Sequence, residues 1–414
     1  MAGPADATGT DRLTPAADLL AGLRIIDLTR LLPGPAVTMH LADFGADVIK
    51  VEDTGEGDYL RSFPPLVRDA HGAPINPTWV ALNRGKRSLR LNLKAAEGRE
   101  LLLRLCEGAD ALVESFRPGT LAKLGLGWEV LHARAPRLVL CSISGYGQQG
   151  PLRLAAGHDL NYIALAGVLD QIRADGRPAV PNLQLGDVHG GTLAALSALL
   201  IALLGAQRSG QGRHVDVAMT DALLAHHVFP HGDLDAGQAP VPGATLLTGG
   251  VACYHVYACA DRLLLAVGAL ELKFWRSFCT AVGLDELAGT HWSQQPEQAP
   301  GTTAAQALIA RVAAHLAARP RAHWLAQLAA ADACTAPVLT PAEAIEHPQV
   351  AARGLVHRVD GVTHVGPLAA MSQYHFTVAP TEAPGASTRT LLAELGLPAP
   401  EIERLLAAGV VGAP

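Results

Sequence analysis

Between Leu23 and Ser142 short apolar runs and helix-like stretches follow one another in turn, and this alternation constrains the fold of the chain more than any other feature. Leu23 to Leu28 is a short apolar run, Pro33-Gly34-Pro35 makes a turn, and Val37 to Phe44 reads as a helix stopped by Gly45. Asp47 to Glu52, Ser88 to Leu93, Ala111 to Val113 and Leu138 to Ser142 read as further strands, with Leu101 to Leu105 inside a helix. Strand-helix-strand repetition predicts an α/β fold with a mostly parallel sheet and helices on both faces. No Gly-x-Gly-x-x-Gly follows the first strand, so the topology is of the nucleotide-binding type without pointing to NAD or FAD.

Beyond Asp187 a helix is expected to about Gln207, closed by Ser209-Gly210-Gln211-Gly212, then a strand over Val215 to Val217 and a helix over Asp221 to Phe229. Residues 230 to 250 are rich in Gly and Pro and cross to a second, smaller α+β domain. There Cys253 to Val267 alternates and predicts a hairpin turning at Asp261-Arg262, followed by helices over Leu272 to Val282 and Ala304 to Ala318. After Pro337 the chain is read as extended, with a last helix near Pro400 to Ala408. The expected division is a loose extension over 1–21, a large domain over 22–228, a linker and small domain over 229–335, and a C-terminal return to the large domain over 336–414.

Composition excludes several functions. Aromatic residues make up 4% of the 414 residues and the net charge is -6, whereas nucleic-acid binding calls for basic patches and stacking rings. Any anionic ligand must therefore meet a local positive pocket. None of the six cysteines forms a Cys-x-x-Cys pair, so no metal site is expected, and the surroundings of most of them read as buried, reduced thiols of a cytoplasmic protein. Met1 to Ala21 lacks both a basic and an apolar signal region. Leu193 to Ala206, the longest apolar stretch, is too short to span a membrane and reads as a buried helix.

Two ionisable residues beside glycine stand out. Asp187 follows Gly186 at the head of a helix. A carboxylate there either caps the helix or is steadied in its ionised form as a base or nucleophile, and Gly190 and Gly191 leave room for a ligand to approach. His158 lies in Gly157-His158-Asp159-Leu160-Asn161-Tyr162, where Asp159 either orients the histidine or caps the helix that starts near Leu160. A lone histidine is more often a satisfied structural group, but a histidine and a carboxylate on separate elements are sufficient to move a proton off and onto carbon. Basic residues gather in Asn83-Arg84-Gly85-Lys86-Arg87-Ser88 and in Glu114-Ser115-Phe116-Arg117-Pro118-Gly119. They are either solvated loop charges or phosphate contacts at the carboxyl ends of strands, with Phe116 offering a flat apolar face. Glu271, after Val267-Gly268-Ala269-Leu270, reads by itself as a glutamate at a helix start.

These segments, together with Leu31-Leu32-Pro33-Gly34-Pro35, Ala42 to Glu52 and Ser144-Gly145-Tyr146-Gly147, resemble the class III CoA-transferase (CaiB/BaiF) superfamily over roughly residues 22 to 375. The resemblance implies an interlocked homodimer with a Rossmann-like large domain and a small domain in each chain. It implies an acyl-CoA substrate, no tightly bound cofactor beyond the coenzyme A of that substrate, and no nucleic-acid or membrane partner. Asn83, Arg84, Lys86, Arg87, Ser115, Phe116, Arg117, Gly145 and Tyr146 would hold the CoA, with the thioester near Asp187.

Within the superfamily the chain is most similar to the α-methylacyl-CoA racemase branch. The Gly157 to Tyr162 segment matches the racemase stretch whose histidine carries a proton, and Val267 to Glu271 matches the stretch whose glutamate lies near that histidine. The implied activity is α-proton transfer on a 2-methylacyl-CoA by His158 and Asp187, with Glu271 tuning His158. Backbone N–H groups after Asp187 would hold the enolate oxygen. The alternative is CoA transfer through an aspartyl-CoA thioester at Asp187. Relatives often carry arginine at the position of Asp53, a contact that Lys50, Lys86, Arg87 or Arg117 would replace here.

Overall fold

A computed structural model describes residues 19–69 and 72–414, so most of the expected N-terminal extension over 1–21 lies outside the described residues. The chain divides into two compact units. The first takes the residues up to Ala166, Asn182–His226 and Arg353–Pro414; the second takes Gly167–Pro181 and His227–Ala352.

The first unit is built on β1 (Arg24–Asp27), α1 (Pro33–Asp43), β2 (Asp47–Glu52), α2 (Pro77–Asn83), β3 (Lys86–Leu91), α3 (Ala96–Glu107), β4 (Ala111–Glu114) and β5 (Val139–Ser144). It continues through α4 (Asp159–Leu165), α5 (Ala194–Ser209), β6 (His214–Ala218) and α6 (Met219–His226). Among the described residues the sheet runs β6-β5-β4-β1-β2-β3, and the short strand Val411–Gly412 closes the β3 edge. The six longer strands pair in parallel, with Ile26 facing Ile49 on one side and Leu112 on the other. Only the final strand is antiparallel. Val48, Ile49, Leu112, Val113, Val139 and Cys141 are buried, as expected of strands covered on both faces. One side of the core joins Ile26, Ile49 and Leu112 to Leu102 and Leu105 of α3 and to Leu391, Leu405 and Val411 from the C-terminal segment.

The chain leaves β1 toward β2 and β3, then returns to β4 and proceeds toward β5 and β6. The order reverses between β1 and β4, which opens a crevice outside the carboxyl ends of these two strands. Helix α5 buries Ala195, Leu196, Leu199, Ala202, Leu203 and Ala206 on one stripe and ends at Gly210, with φ 70. Together with the turn before it, the helical run Gly186–Ser209 has 24 residues, and an 18-residue stretch of it has a mean hydropathy of 1.8. It exceeds the apolar stretch expected from the sequence and is long enough to cross a membrane by length and composition alone. Its packed stripe accounts for part of that composition, while Ile201 and Leu204 on the opposite side are exposed.

In the second unit β7 (Tyr254–Ala258), β8 (Leu264–Gly268) and β9 (Thr335–Pro337) form an antiparallel sheet, turning at Asp261-Arg262 with Arg262 at φ 63. Helices α7 (Leu272–Val282) and α8 (Thr303–Leu316) pack Trp275, Phe278 and Val312 against Leu265. Five of the cysteines are buried; Cys334 is exposed.

Candidate active site

A cavity of about 560 Å³ lies at the reversal point of the sheet, within the usual size of a small-molecule site. The loop after β1 supplies Arg30, Leu31 and Pro33, and the loop after β4 supplies Ser115, Phe116, Arg117 and Pro118. The end of β5 adds Ile143 to Tyr146, and the far wall is Arg153, Ala155 to His158, Asn161, Tyr162 and Asp187.

A buried ion cluster sets the loop after β1. Asp27, at the end of β1, accepts the N–H and hydroxyl of Thr29 and the hydroxyl of Thr38, at 2.6 to 2.8 Å. Lys86 donates to Asp27 at 3.1 Å, and Lys50 donates to the Thr29 carbonyl at 2.5 Å. Burial pushes the Asp27 carboxyl up, but Lys50, Lys86 and the two hydroxyls outweigh it and hold the group at about 2. Asp58 accepts the N–H of Leu31, a residue at φ 65. The loop therefore reaches the cavity in a fixed conformation.

Asp187 belongs to a wide helical turn, Gly186–Leu193, that leads into α5. It is not the cap of this run; that position is Leu185. Its own N–H donates to Oδ1 of Asp159 at 3.0 Å, and no hydrogen bond to its carboxylate forms among the described residues. Burial, and then the charge of Asp159, push the Asp187 carboxyl up to about 7. The next N–H, of Val188, donates to the Gln184 carbonyl at 2.7 Å. The first N–H after Asp187, where the enolate oxygen was expected to be held, is thus already engaged.

His158 is the N-cap residue of α4, and its side chain is exposed at the cavity wall. Its N–H donates to Oδ1 of Asn161 at 3.0 Å, and the N–H of Asn161 returns to the His158 carbonyl at 2.8 Å. Asp159 neither orients the histidine nor caps the helix; it anchors the backbone of Asp187. Gly190 and Gly191 do not make room for a ligand. A Cβ at Gly190 would stand 2.5 Å from the Met219 carbonyl, and one at Gly191 would stand 2.7 Å from Cβ of Pro33, so both glycines permit close packing on α6 and α1.

The two basic segments part company. Ser115, Phe116, Arg117, Gly145 and Tyr146 all line the cavity. Asn83, Arg84 and Lys86 do not: they are 2%, 2% and 3% exposed, with Arg84 paired to Asp43 at 2.6 Å and Lys86 bonded to Asp27 and to Oδ1 of Asn83. Arg87 pairs with Glu394 at 2.5 Å and with Asp47 at 3.6 Å. These four, expected from the sequence to contact phosphate, do not line this cavity: their loop precedes β3 and lies at its amino end. Lys50, 2% exposed, is equally closed off.

Sequence reasoning passed over Arg30 and Arg153, which line the cavity together with Arg117. Arg30 pairs with Asp53 at 2.7 Å, so a carboxylate of the loop after β2 binds an arginine of the loop after β1. The signal for Arg30 was available: it lies just past the carboxyl end of the first strand, at the ligand edge of such a sheet. Glu271 lies in the second unit, as the N-cap residue of α7, and its side chain caps nothing.

Residues 20–390 match CoA-transferase family III. The chain is 36% identical over 342 residues to human α-methylacyl-CoA racemase, covering 81% of each protein. It is 37% identical over 275 residues to succinate–glutarate CoA-transferase of Agrobacterium fabrum, covering 65% of this chain and 68% of that one. Among solved structures, a CaiB/BaiF family protein from Brucella suis superposes with a TM-score of 0.78 at 30% identity, over 91% of this chain and 99% of the other.

Proposed function

The chain belongs to CoA-transferase family III and acts on CoA thioesters, and from that premise we propose that it transfers the α-proton of a 2-methylacyl-CoA. The observation that carries this reading is that His158 and Asp187, from separate elements, line one cavity. One group takes the α-proton from one face of the carbon, leaving the thioester enolate, and the other returns a proton to the opposite face. A carboxyl pushed up to about 7 suits both directions, since it gives and takes a proton near neutrality. Arg30, Arg117 and Arg153 supply the local positive charge that an acyl-CoA phosphate requires in an acidic protein, and Phe116 the flat face for its base. No cofactor beyond substrate coenzyme A is needed. In this reading the chain works as a homodimer, which sedimentation tests.

A second reading rests on the transferase relative and on the half-buried Asp187 carboxylate, which no cation pairs among the described residues. Here Asp187 attacks the donor thioester, expels CoA thiolate and forms a mixed anhydride. The thiolate then attacks the aspartyl carbonyl and releases the donor acid, and the acceptor carboxylate repeats the sequence in reverse. Borohydride or hydroxylamine trapping at Asp187, read by mass spectrometry, tests it. An adduct formed with a donor thioester supports CoA transfer; no adduct across a donor panel counts against it. His158→Ala separates the two readings: it abolishes inversion at the α-carbon if the first holds and spares CoA transfer if the second holds.

A further inference from the structure

Three glycines on three segments of the cavity wall meet one helix, and Tyr162 is at the centre of that meeting. A Cβ on Gly145, which precedes Tyr146, would overlap the Tyr162 ring. A Cβ on Gly157, which precedes His158, would stand 2.7 Å from Cε1 of the same ring and 2.8 Å from the Tyr146 hydroxyl. A Cβ on Gly186, which precedes Asp187, would stand 3.3 Å from Cβ of Tyr162 and 2.9 Å from Oδ1 of Asp159. Each of the three glycines therefore gives up its side-chain space to α4.

Tyr162 is 7% exposed, and its hydroxyl donates to the Gly157 carbonyl at 2.5 Å. Its ring meets that of Tyr146 edge-on at 5.3 Å. Its N–H reaches the His158 carbonyl at 3.3 Å. Burial and the Asp187 charge keep the phenol protonated, raising it to about 12, so the hydroxyl remains a donor at every working pH. The peptide before His158 is gripped from the side-chain end of Tyr162, and the peptide after it from the backbone end.

We propose that Tyr162 is the positioning residue for His158: by its hydroxyl bond to Gly157 and its ring against Gly145, it fixes the histidine on the wall that also holds Asp187. The inference rests on the proton-transfer reading. In CoA transfer His158 is dispensable, and loss of the hydroxyl would leave turnover unchanged.

Tyr162→Phe keeps the ring and deletes the hydroxyl. Deuterium wash-in at the α-carbon and amide hydrogen exchange are measured side by side on the full chain. The expected results are a kcat lower by about 10- to 100-fold with KM held within about twofold, as a small misplacement of a reacting group produces. Amide exchange over residues 157–159 rises by about fivefold, the loss of one neutral hydrogen bond. Gly145→Ala, which displaces the ring, lowers kcat in the same way, and adds nothing in a Tyr162→Ala background because both changes remove one interaction. Unchanged amide exchange in Tyr162→Phe overturns the proposal, as does loosened exchange with kcat intact. If the wild-type protein shows no wash-in, the proton-transfer reading fails by itself, and the amide exchange still decides whether Tyr162 holds this segment.

Discussion

Two carboxyls are both pushed up to about 7, and they do different work. Asp187 is half-buried on a cavity wall, so its shift bears on the chemistry. A rate that requires ionised Asp187 rises with pH and levels off above about 7, a limb that Asp187→Asn removes along with activity; a kcat/KM profile checks this. Glu114 is 4% exposed and accepts the Phe116 N–H at 2.7 Å beneath the cavity wall. Burial raises it, with Asp216 adding to the effect against Ser142 and Phe116. Its folded pKa lies above the unfolded value, so its stability contribution is complete below the ordinary carboxyl range and is lost as pH rises through about 7. Glu114→Gln keeps a carbonyl for the Phe116 N–H and removes the ionisation. Its melting temperature should exceed that of the wild type by roughly 2 °C or more at pH 8, with no gain at pH 4. An equal shift at both pH values would contradict the assignment.

At the scale of elements, the loops at the two ends of the sheet divide the basic residues by task. Arg30 at the carboxyl end is available to a ligand but shares its charge with Asp53, and both side chains are over a third exposed. Asp53→Ala therefore frees Arg30 and should lower KM for an acyl-CoA by up to about fivefold, the range of an exposed pair, while Arg30→Ala raises it. Lys86 at the amino end is structural. Lys86→Met leaves Asp27 short of a buried partner, for a cost of about 3–5 kcal/mol in urea unfolding. A raised KM in a stable Lys86→Met protein would restore the CoA role expected from the sequence. The alternation of strands and helices was legible because each element announces its own period and its own glycine stop, as at Gly45, Gly210 and Gly283. What a charge cluster does was less legible. Asn83 to Arg87 carries the composition of a phosphate loop, yet partners distant in sequence, Asp27, Asp43 and Glu394, neutralise its cations. Only the folded sheet brings those carboxylates to it.

At the scale of the molecule, the first unit by itself brings His158, Asp187, Arg30 and Arg117 to one cavity, at the place where the strand order reverses. His158 and Asp187 were legible as residues beside glycine, but the reason for the glycines was not. Gly190 and Gly191 serve the packing of helices, and Gly145, Gly157 and Gly186 serve α4, with Tyr162 filling the space beside the first two. Such roles depend on which segments meet, and a single sequence does not record that. The central claim, that His158 and Asp187 pass a proton through one α-carbon, is tested most directly by incubating a 2-methylacyl-CoA with the protein in D2O and no acceptor acid. Deuterium should appear at the α-carbon with inversion of configuration in the wild type, and His158→Ala should lose the inverted product, keeping at most exchange with retention on the Asp187 face. Inversion that survives in His158→Ala, or no wash-in by a wild-type protein that binds the thioester, would refute the scheme.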